Sequence, residues 1–150
     1  MTTITIKKVA SLKAEAQCQS HSRSDVLIRD LVQIIDEPVE RGGTNQEPTP
    51  TESVIATFIG CTNVIAHKCA KQLNIPLGNL SISASCEFDR RGVLLEEEID
   101  VPFKKITLTV QTNPTVNKTE RDHVVAQVEK YCPLTKLFQQ AGTEIEAIWL

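Results

Sequence analysis

The sequence predicts an α+β protein. Three observations carry this reading. The first third alternates apolar and polar residues, the mark of half-buried strands. A long apolar stripe at helical spacing follows. The last half returns to alternation and then carries two further helical patterns. Apolar residues make up 41% of the 150, enough for a packed core, while aromatics are only 4%, so an aliphatic core of Val, Ile, Leu and Ala is expected. One domain over residues 1–150 is the expectation at this length.

Taken in order, Ile4-Thr5-Ile6 and Leu12-Lys13-Ala14-Glu15-Ala16 alternate cleanly, and the run Val26 to Ile35 continues the pattern with a charged break in its middle. Together they predict a meander of two or three antiparallel strands. Asp36-Glu37-Pro38 ends the sheet, because proline cannot donate to a ladder. Pro38 to Pro50, with Gly42-Gly43, Asn45 and Pro48, is a loop by composition.

A helix starts next. Thr49 suits the N-cap, Pro50 the first helical position and Glu52 the third, which is the capping-box pattern. Val54, Ile55, Phe58, Cys61, Ile65, Cys69 and Leu73 then form one stripe. Ala56, Gly60, Ala66 and Ala70 would allow another helix to approach closely. The helix should end near Asn74, before Pro76 and Gly78. At roughly 24 residues, about twice the average length, it is expected to be central and buried on most sides.

Leu80 to Phe88 alternates as a strand, with Cys86 on its apolar parity. Asp89 to Gly92 is a turn, Glu96-Glu97-Glu98 a solvated acidic edge, and Phe103 to Val110 another strand. Asn117 can cap a second helix, with Glu120 at its third position, running to Tyr131. Cys132-Pro133 interrupts it, and Pro133 opens a short third helix through Gln140. Gly142 stops that helix, and Ile145 to Leu150 reads as a last strand. No repeat or interdomain linker is visible.

Charge narrows the function. Lys plus Arg is 16 against 19 Asp plus Glu, a net charge of −3, which leaves no basic excess to neutralise nucleic-acid phosphates. No apolar run approaches the roughly 18–20 residues of a membrane span. The opening residues show no basic region followed by an apolar stretch, so a cytoplasmic protein is the expectation. The five cysteines, Cys18, Cys61, Cys69, Cys86 and Cys132, are odd in number, which argues against a disulfide framework. No Cys-x-x-Cys pair occurs and His21, His67 and His123 are scattered, so no metal or other cofactor is expected.

Position separates the cysteines. Cys132 sits where a helix begins, and unpaired N–H groups at a helix N-terminus favour a thiolate. Cys61 lies mid-helix on the apolar stripe, where a small core residue is the competing reading. Spacing alone does not bring the two together.

Glu37-Pro38, Gly42-Gly43-Thr44-Asn45, Pro48-Thr49-Pro50-Thr51-Glu52 and Gly60-Cys61-Thr62 together resemble the central signature of OsmC-like proteins. That family includes osmotically inducible protein C and the organic hydroperoxide resistance proteins. Lys104 to Val110, with Val128-Glu129-Lys130-Tyr131-Cys132-Pro133-Leu134, resembles its second signature. The resemblance covers roughly residues 24–150. It implies two central helices against sheets, built as an intertwined homodimer. It also implies a thiol-dependent peroxidase for organic hydroperoxides, with Cys61 attacking the peroxide, Cys132 resolving, and an external dithiol restoring both.

The family holds its attacking thiolate with an arginine from the N-terminal region, tied to a glutamate before the central helix. By that correspondence Arg29 is the first candidate, with Arg23 and Arg41 behind it, and Glu52 is the carboxylate. Glu52 lies nine positions before Cys61; in the hydroperoxide resistance proteins the glutamate falls ten ahead, where this chain has Thr51. The capping box is a competing use of Glu52. Two other functions stay open at this stage: a non-catalytic protein of the same fold that binds a small hydrophobic molecule at its dimer interface, and a structural protein whose cysteines only pack.

Overall fold

The structure is a computed structural model and describes residues 6–150. Two compact units are distinguished, Met1–Ser53 and Val54–Leu150.

The first unit holds an antiparallel meander of β1 (Glu15–Cys18), β2 (Ser24–Ile28) and β3 (Leu31–Ile35), in that spatial order. The expected strand at Leu12–Ala16 starts three residues later and runs to Cys18. The one expected at Ile4–Ile6 falls at its first two positions outside the described residues, and Ile6 carries no regular structure. The charged break in the run from Val26 to Ile35 is a hairpin turn: Ile28 pairs with Leu31, and Arg29 takes a φ of 60° to close it.

The loop after β3 is organised by one buried carboxylate. Asp36 accepts hydrogen bonds from the Thr44 and Gln46 backbone N–H groups at 3.2 Å and from the Thr44 hydroxyl at 2.5 Å. A short 3-10 turn, Val39–Arg41, lies inside this loop and ends on Gly42 at φ 85°. A Cβ on Gly43 would stand 1.8 Å from the Glu37 carbonyl oxygen, so only glycine fits there.

The helix α1 (Pro50–Gln72) opens on the expected box. The Thr49 N–H donates to Glu52 Oε2 at 2.9 Å, and the Glu52 N–H donates to the Thr49 hydroxyl at 3.3 Å. It ends two residues earlier than expected, and Asn74 takes the left-handed turn at φ 57°. The expectation that α1 is buried on most sides is not met within the chain. Phe58, Thr62, Ala66, Cys69 and Ala70 make one buried stripe, while Val54 is 37% and Val64 51% exposed. The small residues divide accordingly: Ala66 and Ala70 are buried, and Ala56 and Gly60 face outward. By length and composition α1 could cross a membrane, since an 18-residue window reaches a mean hydropathy of 1.2. No such span was expected; a helix with one face in a protein core passes the same test.

In the second unit β4 (Asn79–Phe88) and β5 (Phe103–Asn113) form a long antiparallel pair, and β6 (Glu144–Trp149) joins β5 in parallel. The helices α2 (Lys118–Tyr131) and α3 (Pro133–Gln140) supply the crossover that a parallel neighbour requires. Asn117 caps α2 by accepting from the Glu120 N–H at 2.9 Å, as its sequence predicts. Glu96, Glu97 and Glu98 are exposed, as expected of a solvated acidic run. The core is less purely aliphatic than composition suggests. All four phenylalanines line up, with ring centroids 4.9 Å apart for Phe88 and Phe103, 5.7 Å for Phe103 and Phe138, and 5.1 Å for Phe138 and Phe58. That row ties α3 to α1 and to the sheet.

Candidate active site

The chain brings two of its five thiols together. The Cys132 thiol donates to Cys61 Sγ at 3.5 Å, across 71 positions of sequence. Both are free cysteines. Cys61 sits on α1, one residue before the buried Thr62, and Cys132 is the junction residue that ends α2 and begins α3. Cys132 is fully buried and Cys61 partly so. Cys69 is buried in the same core, Cys86 packs against it from β4, and Cys18 is exposed on β1, so none of these three pairs with another thiol.

Burial pushes the Cys61 thiol above its ordinary value, because a low-dielectric surrounding penalises the thiolate. The backbone N–H of Leu134, in the first turn of α3, opposes this only in part, and the neighbouring Cys132 thiol adds to the rise. Nothing in the sequence pattern marks Leu134 for this; it follows from how α3 lies against α1. Burial also raises the thiols of Cys69 and Cys86, which suits inert core residues.

The remaining site candidates lie in the first unit. Arg29 is exposed in the hairpin turn between β2 and β3. Arg23 is paired with Asp25 at 2.8 Å and Arg41 with Glu37 at 2.6 Å, whereas no carboxylate lies within ion-pair distance of Arg29 among the described residues. Glu52 is committed through one oxygen to the Thr49 N–H, which with the Thr49 side chain and the Arg41 charge lowers its pKa. Its other carboxylate oxygen has no hydrogen-bond partner among the described residues.

In the second unit, a cavity of about 30 Å³ lies among Thr62, Val128, Thr135, Ile145 and Trp149. It has room for a water-sized molecule and is too small for an organic substrate. No group of three or more His, Cys, Asp or Glu side chains gathers into a metal-binding cluster among the described residues.

A thiol on the long helix facing a second thiol at a helix junction makes this an α+β protein with a closely spaced pair of free thiols. The chain belongs to the OsmC-like family: that family's pattern, described as OsmC-like protein, matches residues 43–147. No curated protein matches the sequence. Solved structures share the fold at low identity. An organic hydroperoxide resistance protein OsmC from Legionella pneumophila superposes with a TM-score of 0.71 at 18% identity, over 95% of this chain and 98% of that one. The OsmC like protein of Mycoplasma pneumoniae gives 0.75 at 15% identity, over 94% and 96%. The organic hydroperoxide resistance protein OhrB of Bacillus subtilis gives 0.64 at 19% identity, over 94% and 98%.

Proposed function

We propose that this protein is a thiol peroxidase that reduces organic, lipid-like hydroperoxides and serves oxidative stress defence. The observation that carries the reading is the 3.5 Å approach of Cys61 and Cys132. Membership of the OsmC-like family and the hydroperoxide resistance proteins among its fold neighbours support it.

The Cys61 thiolate attacks one peroxide oxygen. The O–O bond breaks, the alcohol leaves with a proton, and Cys61 becomes a sulfenic acid. The Cys132 sulfur then attacks Cys61 Sγ, water leaves, and a disulfide forms; the two sulfurs close from 3.5 Å to a bond of about 2.05 Å. An external dithiol opens it by exchange. Because burial raises the Cys61 thiol, the thiolate needs a cation. Arg29 is the candidate with no carboxylate already bound, and its guanidinium fork can hold the Glu52 carboxylate and a thiolate together. The working unit is a homodimer. Five free thiols suit the reducing cytoplasm.

The test is mass spectrometry of the native protein after one equivalent of cumene hydroperoxide. A Cys61–Cys132 disulfide is the expected product. Cys61→Ser should consume no peroxide, and Cys132→Ser should stop after one turnover with a trappable sulfenic acid on Cys61. Arg29→Ala should slow reduction at least tenfold, about 1.4 kcal/mol on the barrier. Wild-type peroxide consumption by Cys61→Ser would overturn the assignment of Cys61 as the attacking sulfur, and a wild-type protein that neither consumes the peroxide nor forms the disulfide would favour a non-catalytic protein of this fold.

A further inference from the structure

We infer that the cavity bordered by Thr62 and Thr135 is a water-binding site, and that its water ties α1 to α3 beside the thiol pair. Thr62 follows Cys61 by one position and Thr135 follows Cys132 by three. The site does not depend on what the pair reacts with.

The polar groups of the cavity carry the inference. Thr62 is 2% and Thr135 5% exposed, and a hydroxyl taken out of water is costly unless it is hydrogen-bonded. Thr62 spends its one proton on the Phe58 carbonyl at 2.9 Å, which leaves its oxygen only able to accept. The Thr135 hydroxyl, in the first turn of α3, has no hydrogen-bond partner among the described residues, yet no fully enclosed side-chain polar atom among them lacks one. The Thr135 oxygen therefore keeps contact with open space, and the cavity that this residue lines supplies it. Its volume of about 30 Å³ exceeds the roughly 10–15 Å³ that one water needs. A water there donates one hydrogen to Thr62 and shares a second bond with Thr135. The exposed Glu129 and Gln139 line the same cavity and offer further partners, while Val128 and Trp149 give it apolar walls. A cavity with apolar walls alone stays dry; two buried hydroxyls make this one wet.

The consequence falls on the sulfurs. The Phe58–Phe138 contact holds α3 to α1, but apolar burial has no direction and does not fix how the two helices are set along each other. A bridging water adds directional bonds nearly as strong as direct ones. Thr135 is thus a positioning residue for Cys132 opposite Cys61.

Two variants separate the hydroxyl from the packing. Thr135→Val keeps the shape and loses the hydroxyl; Thr135→Ser keeps the hydroxyl and loses a methyl. Long-lived waters are counted by magnetic relaxation dispersion of the solvent, and Thr135→Val should hold one fewer than wild type while Thr135→Ser holds the same number. The Cys61–Cys132 disulfide is then measured by mass spectrometry in glutathione buffers, without peroxide. Thr135→Val should make it more easily reduced, by about threefold or more in the exchange equilibrium, and Thr135→Ser should restore it. An unchanged water count in Thr135→Val overturns the site. A pair disturbed more by serine than by valine overturns the tie, because the methyl would then be what positions α3. A third measurement needs no variant: a high-resolution crystal structure of the wild-type protein should show a water within about 3.2 Å of both threonine hydroxyls, and a cavity without density overturns the proposal equally.

Discussion

Asp36 shows how a single side chain can organise a loop. Its carboxylate is wholly enclosed, and the Thr44 hydroxyl, followed by neighbouring backbone N–H groups, holds its pKa well below the usual carboxylate range. The folded value lies under the unfolded one, so ionised Asp36 stabilises the fold fully above the unfolded pKa of about 3.9. That contribution is lost as the pH falls through the folded value. Asp36→Ala should therefore lower the urea midpoint at pH 7, and by the same amount at pH 5. The gap between variant and wild type should narrow only on acidification below about pH 4. A gap independent of pH down to pH 2 would show that the loop does not depend on the charge. From the sequence, Asp36 reads as part of a strand-ending turn; its partners, eight and ten positions on, become visible only once the loop has folded.

At the scale of elements, local chemistry predicts best where it acts within one turn. The starts of α1, α2 and α3 follow from Thr49-Pro50-Thr51-Glu52, Asn117 with Glu120, and Cys132-Pro133, each a cap or proline signal complete within four residues. Thr49→Ala should lower stability by about 1 kcal/mol, read as a reduced urea midpoint, because it removes the acceptor for the Glu52 N–H. Glu52→Gln should cost less, since an amide oxygen can still accept from the Thr49 N–H. If Glu52→Gln nonetheless slows alkylation of Cys61 as strongly as Arg29→Ala does, the carboxylate acts beyond its cap. Local pattern was weakest in the first sheet. There the alternation of Leu12 to Ala16 overran its strand boundary, because pairing with β2 decides where β1 starts.

The whole molecule leaves apolar surface without cover. In the first unit Leu27, Leu31 and Val32 are exposed, and in the second Val54 and Val64 on α1. Gly60 lies on the exposed side of the same helix, and a Cβ there would meet nothing within 4 Å. In an isolated chain Gly60→Ala should stabilise α1 by up to about 1 kcal/mol. In a homodimer that packs on this face, the added methyl should instead weaken association. We expect a dimer at micromolar concentration by sedimentation, with more than about 2,000 Å² buried in total, and a shift towards monomer in Gly60→Ala. A folded wild-type monomer under those conditions would remove the dimer from the proposed function.

The sequence by itself determined the α+β class, where the helices start and the two cysteines worth following. Each of these rests on periodicity, capping or a short motif, interactions that act between residues close in the chain. It could not determine that β6 runs parallel to β5, that the four phenylalanines form one row, or that Asp36 latches its loop. Those depend on contacts between residues tens of positions apart, and a buried carboxylate has no address until packing supplies one. The proximity of Cys61 and Cys132 belongs to both levels: a family resemblance implied it, and the packing of α3 against α1 through Phe58 and Phe138 set the 3.5 Å between the sulfurs.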